Sequence, residues 1–300
     1  MNTIRSLTGR VCAYLKAHKA ARIAAICALV IVLLLAVVRP YGTKTYLIMG
    51  LDNYGKIEET GRSDVIMLVQ VNFTKKKIDA VTFARDMIIL DHKGADVKIN
   101  TIVRRSDENA LMTALENDFG VKIDGWFRVN FTTVIQLVEA IGGAEVELTE
   151  AEARYINHTV GIYPESPLAE GKCRLNGAQA LCYARCRALD SDLMRGKRQS
   201  RLLGAMVQST KRMNAGNLVA VYKSLNHAWT SSLSGGEQLG LLFKALWLRG
   251  AKVDAIGLPF EGTFRYGDSK SGVGGILPDM EVNRQRLLEE LDLATPVPGA

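Results

Sequence analysis

The chain has 300 residues, 48% of them apolar, with 38 basic against 31 acidic side chains and a formal net charge of +7. That apolar content builds a core and excludes an intrinsically disordered chain, and the length allows one large domain or two small ones. The charge is unevenly spread. Arg5, Arg10, Lys16, Lys19 and Arg22 fall in the first 22 residues, which contain no acid, so from Arg39 onward 33 bases face 31 acids. A nearly balanced remainder offers no general attraction for nucleic acid.

Residues 23–38 are an apolar run held between Arg22 and Arg39-Pro40. The run is slightly short for a full span, but tilt and snorkelling of the two arginines close the difference. It lacks the small-residue Ala-x-Ala ending of a cleaved signal, so it is expected to be one uncleaved transmembrane helix. The positive-inside rule then places the tail, residues 1–22, in the cytoplasm and residues 39–300 outside the cell membrane as one domain.

Beyond the anchor, strands are predicted at Lys44–Leu51, Val65–Val71 and Lys77–Phe83, followed by a hairpin or loop up to Lys98-Ile-Asn100. Leu111, Met112, Leu115 and Phe119 have helical spacing, with Asp107 as the N-cap and Gly120 as the stop. A strand over Val121–Val129, a helix over Phe131–Ile141 stopped by Gly142-Gly143, and a short strand over Glu145–Leu148 follow. Ala180–Arg187 is expected as a strand. Helices are expected over Gln199–Met213, Leu218–Thr230 and Gly236–Arg249, then a strand over Lys252–Leu258, a Gly-rich loop over Tyr266–Gly275 and a closing helix over Asn283–Leu291. Interleaved strands and helices imply an α/β domain, three-layer α/β/α, around a central mixed sheet.

Chemistry-bearing residues gather at strand ends, where α/β folds place their sites. Asp52, Arg62, Asp64, Arg85, Asp86, Arg185 and Arg187 all stand on or beside such ends. The run from Tyr183 to Gln199 holds Arg185, Arg187, Arg195 and Arg198. As a strand, Ala180–Arg187 would set Arg185 and Arg187 on one face and Cys182, Ala184 and Cys186 on the other. Adjacent guanidiniums present planar donor forks suited to a diphosphate. Asp52 and Asp64 supply the hard oxygens that Mg²⁺ takes alongside water and phosphate.

No Walker A pattern and no nucleophile-elbow or protease-like triad context is present. Cys12 and Cys27 belong to the tail and anchor. Cys173, Cys182 and Cys186 lie outside, with no histidine at zinc-ligand spacing. Two states fit them: a disulfide from Cys173 to Cys182 or Cys186, or three reduced thiols.

Gly50-x-Asp52, Gly61-Arg-Ser-Asp64, Arg85-Asp86, Lys98-Ile-Asn100, Gly142-Gly143, Leu175-Asn-Gly177-x-Gln-Ala180, Arg185-x-Arg187 and Asp192-x-x-Arg195-x-x-Arg198-Gln199 occur in this order. From about Lys44 to Met213 the chain resembles the LytR-CpsA-Psr family. The resemblance implies a membrane-anchored phosphotransferase that moves polyprenyl-diphosphate-linked glycopolymers, teichoic acid or capsule among them, onto peptidoglycan outside the cell.

By that resemblance Arg62, Arg85, Arg185, Arg187, Arg195 and Gln199 contact the diphosphate, and Asp52 with Asp64 holds Mg²⁺. Arg85 would act in catalysis, with Asp64 or Asp192 as general base, and the lipid tail would lie in an apolar tunnel between sheet and helices. Three positions depart from the family pattern: Ala84 where proline commonly precedes the arginine, Met87 where threonine is common, and Met194 where glycine is frequent. A polyprenyl-diphosphate hydrolase would use the same residues, and a lipid- or glycan-binding scaffold or regulator would need no chemistry from them.

Overall fold

The computed structural model describes residues 40–54, 63–160, 167–186, 188–189, 192–248 and 250–293. The tail and the anchor expected over 23–38 lie outside the described residues, as do Arg62 and Arg187. Among the described residues no helix is long and apolar enough to cross a membrane. The fold described below lies within the compact unit Gly42–Ala300.

Six strands form one mixed sheet: β1 (Thr43–Leu51), β2 (Ser63–Asn72), β3 (Lys77–Phe83), β6 (Gly125–Val129), β9 (Thr230–Ser231) and β10 (Lys252–Leu258). Their order is β10-β3-β2-β1-β6-β9. β2 runs antiparallel to β1 and β3, while β6 and β10 run parallel to β1 and β3 respectively. Two-stranded ribbons flank the sheet: β4 (Ile88–Leu90) with β5 (Asp96–Lys98), β7 (Ala144–Leu148) with β8 (Gly171–Leu175), and β11 (Phe264–Asp268) with β12 (Gly274–Pro278).

The pleat divides the apolar residues between two faces. Leu47 and Met49 of β1 and Ile66 and Leu68 of β2 pack with Leu111, Leu115 and Phe119 of α1 (Glu108–Phe119) and with Leu287 of α8 (Met280–Glu290). Met67, Val69 and Val71 turn the other way, toward Leu203 and Val207 of α5 (Asp192–Ser209) and Leu241 of α7 (Gly235–Trp247). A central strand covered on both sides reads as a continuous apolar run, as β2 does. Behind α5, a third cluster joins β7 and β8 to α2 (Phe131–Ala140), α3 (Glu150–Val160) and α4 (Gly177–Arg185) through Val138, Ile156, Ala180 and Tyr183. α6 (Ala215–Leu225) packs beside α7.

The strand expected over Ala180–Arg187 is not formed over its described residues: Ala180–Arg185 belongs to α4, Cys186 follows its end, and Arg187 lies outside the described residues. Asn176 caps the helix by accepting from Gln179 N at 2.9 Å, and Gln179 Oε1 accepts from Asn176 N at 3.0 Å. This reciprocal cap satisfies two donors at the helix start and outweighs the period-two pattern of arginine and small residues that suggested a strand. Gly177 is needed there because a Cβ would stand 2.6 Å from the Ile135 carbonyl oxygen of α2. α3 was also unanticipated, although Thr149 and Glu152 exchange the same kind of cap, at 3.2 and 3.0 Å. β6 starts at Gly125 rather than Val121, and the Gly-rich loop over Tyr266–Gly275 is largely the β11–β12 ribbon.

α5 is fixed by contacts along its length. Arg198 is buried and donates from Nε to Glu152 Oε1 of α3 at 2.7 Å and from Nη1 to the Cys186 carbonyl just past α4 at 3.2 Å. Gly196 lets the helix lie close to the sheet, where an added Cβ would meet Thr82 Cγ2 of β3 at 3.0 Å, while at Gly204 a Cβ would stand in ordinary contact with Val253 Cβ of β10 at 3.5 Å. Thr82 Oγ1 and Ser200 Oγ share a hydrogen bond of 3.0 Å across the same contact.

Two stability outcomes follow from these contacts. Glu152→Ala removes the carboxylate that accepts from the buried Arg198 Nε and is expected to cost up to about 3–5 kcal/mol, read as a lowered denaturation midpoint. Gly177→Val forces α2 and α4 apart and is expected to cost about 1–3 kcal/mol in the same measurement.

Candidate functional site

The sheet delivers its polar residues to one end. Leu51 pairs with Ser63 across a bulge at Gly50, so Asp52 and Asp64 emerge from neighbouring strands at the same edge of the domain. Arg85 follows β3 and donates from Nη1 to Asp64 Oδ1 at 3.2 Å and Oδ2 at 3.1 Å. Its Nε lies 3.5 Å from Asp86 Oδ2, and Lys98 Nζ holds Asp86 Oδ1 at 3.2 Å. Arg195, buried in the first turns of α5, donates to the Asp64 backbone carbonyl at 3.4 Å.

The loop carrying Arg85 and Asp86 is held by backbone bonds. Ala84 N donates to the Leu258 carbonyl of β10 at 2.8 Å, Ile276 N of β12 donates to the Asp86 carbonyl at 3.0 Å, and Asn100 N donates to the Arg85 carbonyl at 3.3 Å. The alanine at position 84 therefore supplies a donor that proline lacks. Met87 is fully buried in the core, so the departure there is absorbed by packing.

A second group stands beside the first. Arg185, at the last turn of α4, lies 3.4 Å from Asp52 Oδ1 through Nη2, and its guanidinium carbon sits 4.0 Å from the centroid of the Phe131 ring. That stacking holds the guanidinium plane while leaving its edge donors for an anion. Gln199 of α5 donates from Nε2 to the Ala184 carbonyl at 3.4 Å. Arg185 and Gln199 both border an apolar cavity of about 200 Å³ between the sheet and helices α2, α4 and α5, whose walls include Ile48, Met67, Val134, Leu137, Leu202 and Met206.

The structure thus brings Asp64, Arg85 and Arg195 into one cluster and Asp52, Arg185 and Gln199 into another at the cavity. Arg198, part of the same motif, is spent on the buried pair with Glu152. Arg62 and Arg187 lie outside the described residues, as does the side chain of Asp192, whose backbone begins α5. Asp86 was among the strand-end candidates; Phe131, and Lys98 as the partner of Asp86, add contacts to which the sequence assigns no role. Lys98 stood in a quoted motif, whereas nothing in the sequence ties Phe131 to Arg185.

Mg²⁺ is commonly held by one or two carboxylates, with water and substrate phosphate completing its shell. Asp52 and Asp64 are carboxylates of that kind, and each lies beside a guanidinium, Arg185 and Arg85 respectively. No group of three or more His, Cys, Asp or Glu side chains arranged for a metal occurs among the described residues. Of the two states open to Cys173, Cys182 and Cys186, the structure has them as free thiols. Burial pushes the Cys182 thiol pKa up.

The chain matches the LytR_cpsA_psr family over residues 32–269. It is 27% identical over 184 residues to the polyisoprenyl-teichoic acid–peptidoglycan teichoic acid transferase TagV of Bacillus subtilis (strain 168), covering 59% of this chain and 46% of that one. It is 30% identical over 176 residues to the transferase TagU, of the same description, from Enterococcus faecalis (strain ATCC 700802 / V583), covering 56% and 54%. The chain spans about half the length of these curated relatives. Its fold is that of the solved structure of TagT bound to LIIa-WTA, with a TM-score of 0.68 and 22% identity across 83% of this chain and 89% of that one. With most of its length matched and the motif residues drawn together at one end of the sheet, the chain belongs to the LytR_cpsA_psr family.

Proposed function

We propose that this protein is a membrane-anchored phosphotransferase that moves a glycopolymer of the teichoic acid class from a polyprenyl diphosphate carrier onto peptidoglycan. The observation that carries this reading is the junction of a hydrocarbon-lined cavity with a guanidinium cluster: Arg185 and Gln199 border the cavity, and Arg85 and Arg195 converge on Asp64 at the same end of the sheet. An amphiphile with a diphosphate head and an apolar tail matches both halves. The names of the relatives, which describe transfer of polyisoprenyl-linked teichoic acid to peptidoglycan, support the same substrate class.

The cavity, at about 200 Å³, is smaller than the roughly 300–1,000 Å³ clefts that bury drug-sized ligands. It therefore takes a segment of a polyprenyl chain, and a longer one requires its helical wall to part. Arg185 would grip the diphosphate edge-on while stacked on Phe131, with Arg62 and Arg187 joining it. Arg85, Arg195 and Gln199 would orient the head group. Mg²⁺, held by Asp52 and Asp64, would neutralise phosphate charge.

In the transfer step an acceptor sugar hydroxyl oxygen forms a new bond to the sugar-proximal phosphorus. The bond from that phosphorus to the bridging oxygen breaks, its electron pair leaves on polyprenyl phosphate, and the hydroxyl proton passes to Asp64 or Asp192. Arginines fixed in place stabilise charge on the transferring phosphoryl group without reorganising at the moment of reaction.

Arg85→Ala is expected to lower formation of the glycan–phosphate–peptidoglycan adduct by about 10²–10³-fold with the thermal midpoint nearly unchanged. The assay supplies lipid-linked glycan with and without peptidoglycan. Polyprenyl phosphate released equally in both arms, with no adduct, would identify a hydrolase instead. Unchanged adduct formation in Arg85→Ala would remove the arginine from the chemistry.

A further inference from the structure

A second cavity, of about 430 Å³, lies on the outer side of α4, against α2 and α3. Its walls follow from helical spacing. Ala178, Leu181, Cys182 and Arg185 lie on one face of α4, and Tyr155 and Thr159, four residues apart, share a face of α3. The segment after β1 supplies Asp52 and Tyr54, and α2 supplies Ile135.

Three features distinguish it from the apolar cavity. It combines two tyrosine rings with a carboxylate, a hydroxyl and a guanidinium, whereas the other is lined almost wholly by hydrocarbon. Leu181 and Arg185 border both cavities, so the two meet at the Asp52–Arg185 pair. Tyr54 is 62% exposed, yet it is held in place. Its ring lies edge-on to Phe131 at 5.0 Å, its carbonyl accepts from Thr132 Oγ1 at 3.4 Å, and the neighbouring Asn53 carbonyl accepts from Phe131 N at 3.2 Å. An exposed aromatic fixed at the rim of a mixed cavity offers an apolar face to a ligand without ordering cost.

A pyranose ring is itself mixed, with C–H faces that lie on aromatic rings and hydroxyls that need donors and acceptors. We propose that the cavity between α2, α3 and α4 is a saccharide subsite that seats the first sugar of the donor, the one bonded to the diphosphate. This rests on the reading of Arg185 as a diphosphate ligand. With the head group at Arg185 and the tail on the sheet side of α4, the sugar on the far phosphate is directed to the outer side. Tyr155 then lies against the ring, and Asp52 and Thr159 face its hydroxyls. The subsite selects the carrier-proximal sugar, whereas the apolar cavity reads only the lipid.

The test uses the full-length protein in detergent, without divalent cation or peptidoglycan. Two probes are compared, a short polyprenyl diphosphate carrying one N-acetylhexosamine and the same polyprenyl diphosphate without sugar. Tyr155→Ala is expected to weaken the sugar-bearing probe by about tenfold or more and to leave the bare probe within about twofold. Tyr155→Phe keeps the ring and is expected to retain binding. Thr159→Trp, at an exposed position that fills the cavity, is expected to reproduce the selective loss. Alkylation of Cys182, followed by peptide mass spectrometry, is expected to be slowed by the sugar-bearing probe and not by the bare one.

Equal weakening of both probes, or of neither, overturns the subsite. Protection of Cys182 by a free peptidoglycan disaccharide, with none from the donor probe, gives the cavity to the acceptor and also overturns it. If neither probe binds the unaltered protein, the lipid-diphosphate reading fails first and the subsite fails with it. Binding of the bare probe combined with wild-type affinity of Tyr155→Ala and Thr159→Trp for the sugar-bearing probe rejects the subsite alone.

Discussion

The buried ion pair of Arg198 with Glu152 determines where α5 meets α3 and the end of α4. Burying two charges is costly, and the cost is offset only when the geometry is close and the remaining donors are satisfied. Here Arg198 also reaches the Cys186 carbonyl, so three segments are joined at one guanidinium. Arg195, one turn earlier on α5, is carried to the Asp64 carbonyl by the same placement. One arginine of the motif thus fixes the helix and the other reports to the site. Removing the first would disturb the second without touching any ligand.

The charges at the site are mutually compensated in the absence of an anion. Arg85 lies on Asp64 and Arg185 on Asp52, and both carboxylates belong to the donor set proposed for the cation. On the proposed reading, a diphosphate that drew a guanidinium toward itself would weaken its hold on the carboxylate, and a divalent ion there would favour the same state. Anion and cation loading would then be thermodynamically linked, each favouring the other by the same factor.

Much of the sheet was legible in the sequence because its signals are local. Lys77–Phe83 and Lys252–Leu258 were read with the bounds they have, and Asp107 and Gly120 mark the ends of α1 as cap and left-handed stop. α4 was misread because Arg185, Arg187 and their small neighbours fit a two-residue period, while the stronger signal, the cap from Asn176 to Gln179, lay just upstream. α3 was missed although Thr149 and Glu152 carry the same kind of cap, since its polar composition hid the apolar stripe of Ala153 and Ile156. Asp52, Asp64, Arg85 and Asp86 do stand at or beside strand ends, whereas Arg185 ends α4 and Arg62 and Arg187 lie outside the described residues. The pairing at the site was not legible, because which carboxylate meets which arginine depends on strand order and on contacts between distant segments such as Phe131 and Arg185.

The glycine contacts of α5 make the space around that helix unequal. At Gly196 and Gly204 the helix lies close on β3 and β10, while over β1 and β2 its Leu202, Leu203 and Met206 look across a void. The helix therefore sits like a beam clamped along one edge, and the clamped edge cannot recede without separating Thr82 from Ser200. Compliance has to come from the opposite wall, where α2 and α4 meet at Gly177. On the proposed reading, the width of lipid that this cavity admits would depend on how far that one crossing yields, a mechanical limit written at a position outside the cavity wall.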